Sequence, residues 1–544
     1  MTLEEAIATL ERLAPLVERL EKLEPELRAA REERDRYRRL AEQLEERCAL
    51  LERGLLGKKA ERLSPDESQL SLAMIGTMLS EQERTAIDEL VETQATEAQV
   101  IKEHTRKKPT GRKPFPEHLP RIEIEQLPDE VRAEGVENFE RIGEDVTERL
   151  ERRPASMVVV VIRKPKFVRR SSSKGDDPVT VYQAATPDLP IEGAMAGPGM
   201  LADTVVKRWD DHLPLHRMTR IYGREDIELA KSTMCGWHMR LAELGRPLID
   251  AMRADSFGAP YLCTDATGVL VLAKEKCRRA HFWVLIDPDK HVLFEYTRNH
   301  TNSAVDSVLA GYSGYLVADA HVVYDHLYAA EEGPTEVNCW AHARRYFFKA
   351  MTSDPERARA ALALIAQLFR LERALQTKPR KQKERLRHKH ARPVIERFFS
   401  WCDAVWDGNE GPTLLEGTPL YDGVRYARNQ RKGLCRFLDD GRLPIDNNIS
   451  ERALRRQAVG RKNWLFVGSD EGAQANAVFT SLIASAHRNQ IEPWAYLRDL
   501  FCLLPTWPVH RVLELAPAYW AETSKREDVI AALANNPFRA ATLR

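Results

Sequence analysis

Three acidic residues stand in settings that suit a metal ligand. They are Asp265 in Tyr261-Leu-Cys-Thr-Asp-Ala-Thr-Gly268, Asp319 in Gly314-Tyr-Leu-Val-Ala-Asp-Ala-His321, and Glu451 in Asp446-Asn-Asn-Ile-Ser-Glu-Arg-Ala-Leu-Arg455. The first two close apolar runs of strand character, where a short side chain on a fixed backbone has little freedom. The third falls in the first turn of an Arg-rich helix. Each alone has an ordinary reading: Asp265 as a turn aspartate before Gly268, Asp319 as another, Glu451 as a residue matched to the helix dipole. Together, three carboxylates brought from two strand ends and one helix make a hard oxygen donor set for two divalent cations. The chemistry of such a set is phosphoryl transfer.

Basic side chains accompany the acids. Arg452, Arg455 and Arg456 lie on the Glu451 helix, and Arg461 and Lys462 follow. Glu451 and Arg455 share a helix face, so an ion pair is one reading. A guanidinium clamp on phosphate is the other. Cys339-Trp-Ala-His-Ala-Arg-Arg345 supplies Arg344 and Arg345 for phosphate. His342 there either supports a carboxylate or phosphate, or is a core histidine. Asp287 and Asp289 read as solvated turn residues, and Asp325 and Asp446 as supporting groups.

The elements around these residues predict a ribonuclease-H-like α/β core. Strands are expected at 261–264 and 268–273, then a hairpin of 281–286 and 291–296 about Asp287-Pro-Asp-Lys290. A helix at 301–310, a strand at 315–318 and a strand at 336–340 follow. Residues 256–345 and 441–495 form this domain, interrupted by a mostly helical basic insertion over 346–440. Residues 196–255 are helical. Within them 220–240 has a helix-turn-helix rhythm, with Ser232-Thr233 as cap, and serves equally as a groove reader or a plain helical hairpin. Residues 496–544 form a C-terminal helical region.

Upstream, apolar positions from Leu13 to Leu55 alternate spacings of three and four. That is a heptad seam and predicts a coiled coil over 1–57 that joins copies of the chain. The other reading is a long helix folded back on its own domain. Residues 58–112 read as a helical linker and a basic arm. Lys107, Lys108, Arg112 and Lys113 are its candidate DNA contacts. Residues 113–170 read as a small β-rich module and 171–195 as a flexible linker. The chain has 82 basic and 82 acidic residues, so no global field draws it to nucleic acid. Eight scattered cysteines include no Cys-x-x-Cys pair. No apolar run reaches the roughly 18 residues of a membrane helix, and no signal peptide is expected. A cytoplasmic protein follows.

These motifs resemble the DDE transposases of the insertion sequence 66 family. The resemblance lies in Gly111-Arg-Lys-Pro-Phe-Pro-Glu-His-Leu-Pro120, Ile142-Gly-Glu-Asp-Val146, Asp211-His-Leu-Pro-Leu-His216, Thr264-Asp-Ala-Thr267, Ala318-Asp-Ala320, Cys339–Arg345 and Pro444-Ile-Asp-Asn-Asn-Ile-Ser-Glu-Arg452. It covers nearly the whole chain. It implies a bacterial mobile-element enzyme with a catalytic triad at Asp265, Asp319 and Glu451. It implies Mg²⁺ as cofactor, with Mn²⁺ as substitute. DNA is the implied partner, as terminal inverted repeats and as target, alongside small accessory proteins. One departure is plain. Such proteins carry a cysteine zinc unit where this chain has Glu134–Arg141 and Phe167–Ser173, so no zinc is expected. A structure-specific nuclease of the same fold, or an inactive DNA-binding regulator descended from a transposase, are the other functions these residues allow.

Overall fold

The structure is a computed structural model. It describes residues 188–543 apart from 226 and 274–275, together with 23, 25–38, 40–41, 160, 166–168 and 181–183. The chain divides into two units, 1–94 with 164–544, and 95–163. Apart from residue 160, the second unit lies outside the described residues. So do the basic arm at Lys107, Lys108, Arg112 and Lys113 and the segment Glu134–Arg141. Of the expected coiled coil, residues 25–38 are helical, and the seam residues Leu23, Leu27 and Tyr37 are exposed.

A short antiparallel ribbon pairs β1 (Lys166–Val168) with β2 (Val181–Gln183). The main sheet has five strands: β3 (Tyr261–Val271), β4 (Arg278–Ile286), β5 (Val292–Thr297), β6 (Tyr315–Ala318) and β7 (Thr335–Asn338). Their spatial order is β5-β4-β3-β6-β7. The first three run antiparallel as a meander, and β6 and β7 lie parallel to β3. This is the mixed sheet expected of a ribonuclease-H-like core.

The expected break between 264 and 268 is absent, because β3 is one continuous strand through Asp265. Gly268 looked like a turn residue, yet its role is spatial. A Cβ there would lie 3.0 Å from the Arg279 guanidinium on β4. Asp265 therefore sits mid-strand opposite Val284. It lies just past the point where β6 stops pairing at Cys263–Val317, so the parallel neighbour ends where the acid begins.

Alternation of side chains gives the sheet two apolar faces. Cys263, Phe282, Val284 and Phe294 face helix α5 (Trp340–Ala350) and the insertion helices α6 (Pro355–Ala374), α7 (Arg392–Trp406) and α8 (Pro419–Asn429). Leu262, Trp283, Leu285 and Leu316 face α1 (Pro198–Trp209), α3 (Lys231–Ser256) and α11 (Pro493–Leu503). Each such side chain contributes about 1.5–3 kcal/mol on burial.

Segment 196–255, expected as a separate helical module, is thus a layer of the core. Helix α2 (Leu215–Tyr222) leads to α3, which begins at Lys231 with no side-chain cap. Met234, Trp237, Leu241, Leu248 and Met252 bury one face of α3. Ile191 is buried in the same cluster, so the end of the segment read as a flexible linker is packed. Helix α10 (Asp470–Arg488) covers the edge strand β5. Ser481 and Ser485, one turn apart, accept the outward amides of Phe294 and Val292 at 2.7 and 2.9 Å, which satisfies an edge that would otherwise recruit another strand.

In the insertion, the basic run 378–392 is partly internal. Arg387 is fully buried, forks onto both oxygens of Glu372 at 2.7 Å, and donates to the carbonyls of Asp440 and Leu443. Arg380 pairs with Asp440 at 2.8 Å.

Candidate active site

Asp265 comes from the middle of β3, Asp319 from the first residue after β6, and Glu451 from the first turn of α9 (Asn448–Trp464). Burial raises the Asp265 carboxyl to about 7; the backbone N–H of Ala266 pulls the other way, and the Asp319 and Glu451 charges add to the rise. The three acids are thus near enough to act on one another. Among the described residues, however, no three His, Cys, Asp or Glu side chains stand ready to enclose a metal ion.

Asp319 is aimed by a tight turn. Its Oδ1 accepts the amide of His321 at 3.2 Å, and His321 Nδ1 accepts the amide of Val323 at 3.2 Å. Ala320 between them has φ of +60°, a left-handed conformation that costs a residue with a Cβ roughly 1 kcal/mol or more.

Glu451 is aimed from farther away. The residue just before its helix is Asn447, whose side chain does not cap the helix. Fully buried, Asn447 donates to the Thr264 carbonyl at 2.7 Å, one residue before Asp265. Its own amide meets Cys339 Sγ, and its Oδ1 accepts from Ser450. Farther along α9, Gln457 and Asn476 exchange side-chain hydrogen bonds at 2.8 and 3.1 Å, tying α9 to α10. Sequence reading assigned neither residue a role.

The basic residues divide. On α5, Arg345 donates to Glu451 at 3.0 Å, and His342 Nε2 lies 3.7 Å from the same oxygen. Arg344, beside them, stacks over Phe348. Arg456 is committed inside the protein, to Asp210 at 2.6 Å, and His487 joins the same carboxylate. Arg461 donates to the Gly268 carbonyl. Arg452, Arg455 and Lys462 remain on the exposed face of α9. Of the competing acids, Asp287 is buried in its hairpin turn, where it accepts the amide of Asp289, rather than solvated as expected.

Residues 193–475, which include all three acids, match the family model described as "Transposase IS66 family". Residues 481–518 match the "IS66 C-terminal element", and 43–124 match "Transposase C of IS166 homeodomain". Two Sinorhizobium fredii proteins are similar along most of their length. Uncharacterized protein y4hP is 28% identical over 516 residues, covering 90% of each chain. Uncharacterized protein y4qI is 30% identical over 490 residues, covering 86% of this chain and 87% of its own. With a family match spanning the sheet, the insertion and the helix that returns to them, the chain belongs to the IS66 family of transposases.

Proposed function

We propose that the protein nicks DNA at the ends of its mobile element and joins the freed 3′ ends to target DNA, with Asp265, Asp319 and Glu451 as the catalytic acids. The observation that carries this reading is the place of Asp265, half-buried in the middle of β3, where burial first and the nearby Asp319 and Glu451 charges second raise its carboxyl to about 7. Burial with like charges makes a carboxylate costly unless a cation or proton joins it.

The donor set fits Mg²⁺ or Mn²⁺: three carboxylates, all hard oxygen ligands. Divalent ions there supply an activated nucleophile and a counter-charge for the leaving oxygen. Asp265, anchored by β3, would hold such ions together with Asp319 and Glu451. A cation held by Glu451 would compete with Arg345 for that carboxylate, and Arg345 is a candidate contact for a DNA phosphate. Arg452, Arg455 and Lys462 grip the backbone of the strand along α9, without reading its sequence. The exposed seam at Leu23, Leu27 and Tyr37 supports pairing of two chains, which brings two DNA ends together.

The test is a cleavage and strand-transfer assay on labelled DNA from the borders of the gene. Metal-dependent nicking and joined product are expected from the wild-type protein and neither from Asp265→Ala. Nicking retained by that variant overturns the triad.

A further inference from the structure

Three histidines that the catalytic reading does not use lie in a row beginning at the Asp319 turn. The rings of His321 and His300 are 4.7 Å apart, and those of His300 and His281 4.8 Å. His300 lies flat on the fully buried indole of Trp283, with 7° between planes at 4.8 Å. That indole is itself fixed by its N–H donating to Thr297 at 2.7 Å. By strand alternation, His281 and Trp283 share the face of β4 opposite to that of Asp265, which pairs with Val284. The row therefore leads from the end of β6 away from the reacting centre.

We propose that His321 and His300, backed by His281, bind a phosphodiester of the DNA strand flanking the scissile phosphate on the Asp319 side. This rests on the DNA-cutting role proposed above. The chemistry of the row favours this ligand. His321 Nδ1 accepts the Val323 amide, so in the neutral ring the proton resides on Nε2, which becomes a donor. His281 Nδ1 is closed off from solvent without a hydrogen-bond partner, so this ring backs His300 from inside the protein. Burial, with His300 and Arg279 adding, holds His281 down to about 4. An Arg or Lys here would pair with Asp319 and compete with a cation for it. An imidazole whose Nδ1 is already occupied offers its Nε2–H to a phosphate oxygen without that competition. A side chain stacked on a buried indole also loses little freedom when it binds.

The test is binding and nicking of border DNA in which single phosphates around the nick are replaced, one at a time, by uncharged methylphosphonate. Wild-type protein is expected to lose about tenfold at one flanking position, the size of one hydrogen bond to a charged group. His321→Ala, at an exposed residue, should lose a similar factor on unmodified DNA and no more at that position. His321→Gln, which keeps an N–H donor, should recover part of the loss. A His321→Ala profile identical to wild type overturns the proposal while leaving the DNA-cutting role intact. So does sensitivity to abasic sites in place of the methylphosphonate, which would make the row a base-stacking surface. Wild-type protein that neither binds nor nicks border DNA defeats the underlying role, and this inference with it.

Discussion

The two sides of the carboxylate cluster are built on different physics. Asp319 is held by covalent geometry: a buried strand, one strained Ala320, and a turn whose hydrogen bonds close within four residues. Its neighbours are histidines. Glu451 is held by long-range contacts, Asn447 to Thr264 and Gln457 to Asn476, and its neighbours are Arg345 and His342. One side is rigid. The other depends on tertiary contacts and already meets the Arg345 guanidinium. An acid on a strand end needs no counter-charge to keep its place, whereas an acid on a docked helix draws on an ion pair.

The largest effect should come from the residue common to both sides. Asp265→Ala should lower nicking by more than the roughly 100-fold typical of an outer-shell change, with folding retained. Circular dichroism alongside single-turnover nicking checks this, and a variant within tenfold of wild type would remove Asp265 from the chemistry. Next is Asn447→Ala, which attacks only the helix side. It strands the Thr264 carbonyl and should cost about 1–3 kcal/mol of stability, with nicking reduced roughly 10–100-fold. Urea melts and nicking rates measured together decide it. Unchanged activity would mean Glu451 does not depend on this link.

A smaller, oppositely signed effect is expected from Arg345→Ala. Removing a half-exposed ion pair worth about 0–1 kcal/mol should lower the metal concentration for half-maximal nicking by up to about fivefold. DNA affinity should weaken at the same time. A metal titration that shifts upward instead would show that Arg345 helps position Glu451 rather than competing for it.

A separate effect is on stability against pH. The folded metal-free protein keeps a proton on Asp265 up to about 7, while the unfolded chain releases it near 3.8. Between those values the folded state binds more protons, so this residue's contribution to stability falls as pH rises and levels off above about 7. Melting temperatures of wild type and Asp265→Asn across that window should diverge, and Mg²⁺ should close the gap. Parallel curves would argue that Asp265 is not buried against its neighbours.

The rigid side was the legible one. Asp265 and Asp319 announce themselves because each follows a few consecutive strand residues, a pattern confined to its own neighbourhood. Glu451 was legible as a helix-start acid, yet what positions it was not, since Asn447 finds its partner on a strand far back in the chain. The same limit explains Gly268, read as a turn when its cause is a guanidinium on the adjacent strand. It explains Arg387 too. In a basic run it looked like part of a charged surface, and only the folded insertion reveals Glu372 and three carbonyls around it. Ser232-Thr233 misled for a related reason: α3 begins earlier, drawn by the burial of Met234 and Trp237.

Because the helical insertion separates β7 from α9, the three clustered acids leave the ribosome at different times. At roughly 5–20 residues per second, Asp265 and Asp319 emerge on the order of ten seconds before Glu451. Until then the strand bearing Asp265 lacks the helix that docks at Thr264. Any chain cut short by a nonsense codon within the insertion ends with two acids and no third. The three acids can therefore meet only after the whole insertion and α9 have been made.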